Sequence, residues 1–520
     1  MKKPNVLLFI TDQHRADHLG CYGNTIVKTP NINTLAGRGT LYERFYVANP
    51  VCMPNRAALM TSRLPSTNGV YSNGTPLSIN SRTFVDRLAE EGYDTALIGK
   101  SHLQTISGIE PNWLPDSERY HYTKEDYPSE AQQPDHRGKI YLNEDPNSWK
   151  DPDFQVKTPY YGFKHVDLVT EHSDEVGGEF SRWLEKKDPD LNERRGRHHA
   201  IPDHRITTPQ AWKTSLPEEL YPTSYIGQQT VKYLNGRTKG DDPFFVQCSF
   251  PDPHHPFTPP GKYWDMYDPD DIPLPRGWRE GDMPIEKHLY DRLRTGNAQR
   301  EAQLPYAANE REIREAIALT YGMITMIDDQ IGHVMQALHD SGEADNTIVI
   351  FTTDHGDYMG DRGLLLKGPH HLHGLINVPF IWVDPTQPNP HKTSDLGQTI
   401  DIGPTILRRV GIKPDYGIQG RDLIGDPPLE SILIEDSRQR VNLGFERFQG
   451  LRTLVTAQYR LTIGFPDAGN ELFDLQADRF EHNNLFNHPD YAGIRAETIQ
   501  ALAEKMIAMQ DPIPLAPFYA

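Results

Sequence analysis

Cysteine is scarce in this chain, with only Cys21, Cys52 and Cys248 among 520 residues. An odd, widely spaced set excludes a disulfide framework and fits a reducing compartment. Long apolar runs are missing too. The run over residues 6–10, after Lys2 and Lys3, is shorter than the apolar region of a secretory signal and leads into Asp12. No stretch approaches the roughly 20 residues of a transmembrane helix, so a cytoplasmic protein without a membrane partner is expected. Positive charge is also deficient: 53 Lys and Arg against 72 Asp and Glu leave a net −19. Such a surface repels nucleic acid, so no nucleic-acid partner is expected. A small anion can still be held where cations cluster in a pocket. Repeats and low-complexity tracts are absent, and 520 residues exceed one ordinary core, so two domains are the default.

Proline and glycine are plentiful, 43 and 40, and imply many ordered loops. Between them lie four β-rich runs, at residues 5–11, 93–99, 244–250 and 347–353, each followed by a polar cluster. Those clusters are Asp12-Gln13, Lys100-Ser101-His102, Asp252-Pro253-His254-His255 and Asp354-His355-Gly356-Asp357. Continuous rather than alternating apolar runs indicate strands covered on both faces. Helical patterns separate them: residues 82–91, with Phe84, Val85, Leu88 and Ala89 on one side, and a longer one through Ile313, Ile317, Ile324, Ile331 and Leu338. Alternation of strand and helix predicts an α/β fold with a large, mostly parallel sheet, where ligands bind beyond the carboxyl ends of the strands. The four clusters would then converge on one site. Short runs at 450–456, 459–464 and 471–474 predict a small antiparallel sheet.

Asp12, Gln13, Asp354 and His355 offer two carboxylates, an amide oxygen and an imidazole. Oxygen-rich ligation suits Ca²⁺, Mg²⁺ or Mn²⁺, and the imidazole favours Mn²⁺ or a similar ion. Singly, a strand-ending Asp is often a helix cap and Asp-His-Gly often a turn. Cys52-Met53-Pro54-Asn55-Arg56 opens a helix-like stretch whose N–H groups suit an anion, with Arg56 one turn on and on the same side as residue 52.

That segment resembles the C-x-P-x-R signature of the sulfatase family of the alkaline phosphatase superfamily. Asp12, Gly99-Lys100-Ser101-His102 and Asp354-His355-Gly356 follow the order of the family's other motifs, and Glu471-Leu472-Phe473-Asp474-Leu475 is similar to a late family segment. The resemblance implies an alkaline-phosphatase-like sheet with a smaller C-terminal α+β unit, here residues 1–390 and 391–520, with loop-rich insertions at 103–220 and 252–310. It implies that a formylglycine-generating enzyme oxidises Cys52 to formylglycine, whose hydrated aldehyde is the nucleophile and a ligand of one divalent ion, Ca²⁺ or Mn²⁺, beside Asp12, Gln13, Asp354 and His355. Arg56, Lys100 and Lys367 would neutralise the ester oxygens. His254 would protonate the leaving group, and His102 would take a proton from the second hydroxyl of the gem-diol to release sulfate. His255 is set aside as the neighbour of the acid, and His370, His371 and His373 carry little weight as substrate contacts. Asp12-Gln13, where many sulfatases have Asp-Asp, is similar to the phosphonate monoester hydrolase and choline-sulfatase-like branch, and Asn73 matches an active-site asparagine of the phosphonate-hydrolase branch.

Lys100 and His102 therefore point to an arylsulfatase-type hydrolase of sulfate monoesters with side activity toward phosphonate monoesters and phosphodiesters. A phosphonate monoester hydrolase or phosphodiesterase is the alternative, and an unmodified anion-binding protein is a third reading from another class. A thiol hydrolase is disfavoured, since cysteine phosphatases space Cys and Arg as C-x₅-R. A homo-oligomer is possible through extended tails such as residues 512–520.

Overall fold

Side chains along the central strands alternate between two apolar layers. In the computed structural model, which describes residues 3–106, 138–237, 240–281, 283–301, 303–388, 390–439, 449–465 and 469–510, Leu7 and Phe9 face one layer while Val6, Leu8 and Ile10 face the other. Val349 and Phe351 follow the first pattern, and Ile348 and Ile350 the second. A strand sealed on both faces requires an apolar residue at every position, which explains the unbroken runs. Residues 112–115 and the tail 512–520 lie outside the described residues.

In chain order the strands are β1 Asn5–Thr11, β2 Thr40–Tyr46, β3 Asp94–Lys100, β4 His165–Val169, β5 Phe244–Ser249, β6 Tyr306–Ala307, β7 Thr347–Thr353, β8 Leu364–Leu365, β9 Phe380–Val383, β10 His391–Gln398, β11 Ser431–Gln439, β12 Gln449–Thr456, β13 Tyr459–Phe465 and β14 Glu471–Asp474. Eight of them form one mixed sheet in the order β10-β2-β9-β7-β1-β5-β3-β4, in which β9 runs against its neighbours. Ile10 is level with Ser249 and Thr352, and Gly99 with Ser249, so β1, β3, β5 and β7 end along one edge. Gly99 has a positive φ of 112°, and a Cβ there would lie 1.9 Å from the Ser249 carbonyl oxygen, so only glycine lets the Lys100 turn approach β5.

The helix Glu310–Asp340 packs Ile313, Ile317, Ile324, Ile331 and Leu338 on the first layer. It starts at a capping box: Glu312 N–H donates to Asn309 Oδ1 at 2.9 Å, and Asn309 N–H to Glu312 Oε2 at 3.0 Å. The expected helix at 82–91 spans Phe84–Glu90, capped by Thr83, with Phe84, Val85 and Leu88 buried against the second layer. The small antiparallel sheet has the order β11-β12-β13-β14, one strand more than the sequence indicated. Ile432, Ile434 and Val455 join the second layer, while Leu433, Leu454 and Leu472 pack with Leu502 of the C-terminal helix Ala492–Ala508.

The region expected to be loop-rich, 103–220, contains β4 and the helix Glu179–Lys187. β4 is a five-residue edge strand whose first residues are exposed or half-buried, so it lacks the continuous apolar signal of its neighbours. The large sheet also extends past residue 390 through β10. Among the described residues no helix is long and apolar enough to cross a membrane.

Candidate active site

The four polar clusters do meet at the edge where β1, β3, β5 and β7 end. Asp12 leaves β1, Asp354 and His355 leave β7, and Cys52 opens the helix Cys52–Thr61, all of them buried. One donor atom from each of these four lies within 4.8 Å of those of the other three. Cys52 Sγ is 3.0 Å from His355 Nε2 and 3.9 Å from Asp12 Oδ1. His355 Nε2 is 3.6 Å from Asp12 Oδ1 and 3.7 Å from Asp354 Oδ1. His355 Nδ1 lies 2.8 Å from the Gly356 carbonyl oxygen, a partner that takes the ring's proton on that side and turns Nε2 toward the carboxylates. Gly356 is needed for close approach: a Cβ would lie 1.9 Å from the Gly374 carbonyl oxygen.

Cations surround this core. Arg56 Nε donates to Asp354 Oδ2 at 2.7 Å and its other nitrogens reach Asp12 Oδ2 at 3.5 Å, the Lys100 carbonyl oxygen at 3.2 Å and Ser249 Oγ at 3.1 Å. Lys100 Nζ donates to Asp12 Oδ2. Burial pushes the Asp12 carboxyl up, but Lys100, His254, His172 and Arg56 outweigh it and leave Asp12 well below the usual carboxylate range. Burial and Asp12 push the Cys52 thiol up, and Lys367 and His355 bring it below its ordinary value.

Gln13, in a left-handed turn (φ 62°), donates its backbone N–H to Asp354 Oδ1 at 3.1 Å. Its amide oxygen accepts from Lys367 Nζ at 2.8 Å, and its amide nitrogen faces Asp357 and, at 3.1 Å, His255 Nδ1. Lys367 Nζ also lies 2.7 Å from His254 Nε2. His255, which the sequence reading set aside, thus belongs to the cluster. His102 is buried, with its backbone N–H and those of Leu103 and Gln104 on the Glu144 carboxylate at 2.7, 2.8 and 2.9 Å. Its Nδ1 is buried without a hydrogen-bond partner among the described residues. Asn73 is exposed and accepts from Met53 N–H at 3.1 Å, satisfying a free donor in the first turn of the Cys52 helix.

Two residues in the site escaped the sequence reading. Asn55, between Pro54 and Arg56, donates to the Asp354 carbonyl oxygen and accepts from Ala48 N–H and Thr399 Oγ1, each at 2.8 Å. His172 follows β4 and contacts Lys100 Nζ. β4 obeys the rule of a strand ending in polar residues, but its weak apolar pattern hid it. His370, His371 and His373 hold the small sheet instead. His370 pairs with Glu286 at 2.9 Å and Glu471 at 3.0 Å, His371 lies 2.7 Å from Thr453 Oγ1 and 3.3 Å from Asp436 Oδ2, and His373 N–H donates to Glu481 at 2.8 Å.

Two carboxylates, an imidazole and residue 52, ringed by Arg56, Lys100 and Lys367, are a donor set that could hold a cation facing an anion. The sulfatase family model matches residues 4–412, and the chain belongs to the sulfatase family of hydrolases. It is 28% identical over 505 residues to an arylsulfatase of Clostridium perfringens, covering 94% of this chain and 91% of that one. It is 27% identical over 527 residues to the multifunctional alkaline phosphatase superfamily protein PehA of Trinickia caryophylli, covering 95% and 93%. The phosphonate monoester hydrolase of Agrobacterium radiobacter superposes with a TM-score of 0.75 at 25% identity, covering 98% of this chain and 96% of that one.

Proposed function

We propose that this protein hydrolyses sulfate monoesters in the manner of an arylsulfatase, with phosphonate monoesters and phosphodiesters as secondary substrates. The observation that carries this reading is the placement of Lys100 as the last residue of β3, on Asp12 and Arg56, with His102 just past it, both buried. Asp12, Asp354, His355 and residue 52, with Gln13 beside them, would hold one divalent ion, Ca²⁺ or Mn²⁺, which supplies Lewis-acid charge. Oxidation of Cys52 by a formylglycine-generating enzyme would supply the gem-diol oxygen as nucleophile.

The remaining work falls to the chain's own side chains. Arg56, Lys100 and Lys367 are preorganised around the point where a tetrahedral anion meets residue 52, and such cations stabilise charge that shifts during displacement. Lys367, now on His254 and Gln13, would turn to the ester oxygens. His254 Nε2 is then free to carry the proton the leaving alkoxide or phenoxide needs. His102, with an unpartnered ring nitrogen, is the base that would take a proton from residue 52 as sulfate is released. Asp12-Gln13 and Asn73 support a phosphonate monoester hydrolase as the second reading.

The test is the ratio of kcat/KM for 4-nitrophenyl sulfate to that for a matched 4-nitrophenyl phosphonate monoester, measured on protein co-expressed with a formylglycine-generating enzyme. A ratio above one is expected, and a ratio well below one makes the phosphonate ester the main substrate. Turnover of neither, with an intact mass showing an unconverted thiol at residue 52, would favour the non-catalytic anion-binding reading.

A further inference from the structure

His172 is buried, and neither of its neighbours in sequence is relaxed. Glu171 and Ser173 both have left-handed backbones, with φ of 64° and 56°. Such strain in non-glycine residues persists only where the surrounding structure enforces it, and it clusters at functional sites. The turn aims the imidazole inward, where Nε2 meets Lys100 Nζ and lies 3.8 Å from Asp12 Oδ2. A lysine ammonium can only donate, so Nε2 of His172 carries a lone pair and the ring proton is on Nδ1. The flat face of the ring stacks on His254, with centroids 3.7 Å apart and planes 17° apart.

His254 repeats the pattern. Its Nδ1 faces the His255 carbonyl oxygen, and its Nε2 accepts from Lys367 Nζ at 2.7 Å. The site thus contains two lysine–imidazole pairs whose rings lie face to face. Each lysine that would neutralise the substrate anion rests on an imidazole lone pair, and Lys100 also pairs with the Asp12 carboxylate.

We propose that His172 is a positioning residue for the hydrolysis: its ring fixes the plane of His254, so that Nε2 meets the leaving-group oxygen, and its Nε2 holds Lys100 until an anion arrives. The assignment rests on the hydrolase reading above, and no bond to substrate is assigned to His172. Its loss should act through proton donation, which matters most for esters whose leaving groups are poor.

The experiment compares 4-nitrophenyl sulfate with phenyl sulfate, whose leaving group is more basic, in the wild type and in His172→Ala, His172→Phe and His172→Asn. With H172A, kcat for phenyl sulfate should fall about 10²-fold, the lower end of what a general acid contributes, while kcat for 4-nitrophenyl sulfate falls several-fold or less. H172F keeps the stacked ring and should restore the wild-type ratio of the two kcat values, with a changed KM because Lys100 has lost its imidazole acceptor and keeps only Asp12. H172N loses the ring and should behave as H172A. Thermal melting identifies any variant that does not fold, and H172F and H172N then carry the comparison. Equal losses on both esters in the folded variants, or no loss, overturn the inference while the hydrolase reading stands. A wild type inactive toward both sulfate and phosphonate esters overturns the reading, and the inference with it.

Discussion

Arg56 and Asp354 stand 298 positions apart in the chain, yet Arg56 Nε donates to Asp354 Oδ2 at 2.7 Å with both side chains almost fully buried. The contact ties the first turn of the Cys52 helix to the end of β7, and so fixes residue 52 relative to two metal-ligand candidates. Asp354 has its second oxygen on Gln13 N–H, which leaves the carboxylate little freedom to rotate.

Arg56→Lys should therefore do more than shorten a cation. A lysine offers no planar fork to bridge Asp354, Asp12 and the Lys100 carbonyl oxygen. We expect kcat/KM on a sulfate ester to fall by about 10²–10³-fold, the scale of removing one preorganised donor from a reacting oxyanion. Steady-state kinetics, with metal content measured by elemental analysis, checks this.

Asn55 offers a test of the same junction from the neutral side. Asn55→Leu leaves the buried Asp354 carbonyl without its partner and takes from Ala48 N–H one of its two acceptors, the other being Thr399 Oγ1 at 3.0 Å. The expected cost is about 1–3 kcal/mol of stability per unsatisfied group, read by urea denaturation, together with reduced turnover because the Cys52 helix is no longer tied to the β7 turn.

Removal of divalent ions by a chelator should abolish turnover, and restoration by Mn²⁺ or Ca²⁺ identifies the ion. Asp354→Asn and His355→Ala should each lower the bound-metal stoichiometry below that of the wild type. Elemental analysis after dialysis reads this independently of activity.

The buried His370 group predicts a pH dependence of stability. Burial disfavours a charge on His370, but Glu471 and Glu286 outweigh it and raise its pKa to about 10. A folded pKa above the unfolded one means that the stabilisation is complete below pH ~6.5 and is lost as pH rises through about 10. Glu471 has the opposite sign: burial raises it, His370 and Arg460 bring it down to about 2, and its share is present above the unfolded carboxylate pKa and lost as pH falls through about 2. His370→Leu removes the cation shared by Glu286 and Glu471, of which Glu471 keeps Arg460 at 2.9 Å, and should cost about 3–5 kcal/mol at pH 6. Its stability should then vary less than the wild type's between pH 6.5 and about 10, as guanidinium titrations at several pH values would show.

From the residues alone, much of the site was legible because its signals are local. An unbroken apolar run requires a doubly covered strand, and the residues after it must then lie at the sheet edge. This reasoning placed Asp12, Lys100, His254 and Asp354, and the Cys-x-Pro-x-Arg spacing placed Arg56 beside residue 52. Tertiary structure alone decided the pairings. His172 follows an edge strand too short and too polar to show a period, and its role depends on His254, 82 positions away by residue number. His370 and His371 sit near Lys367 in sequence but point to Glu471 and Asp436 of the small sheet. Which way a buried imidazole turns depends on the partners packed around it, and packing between distant segments leaves no periodicity in the chain.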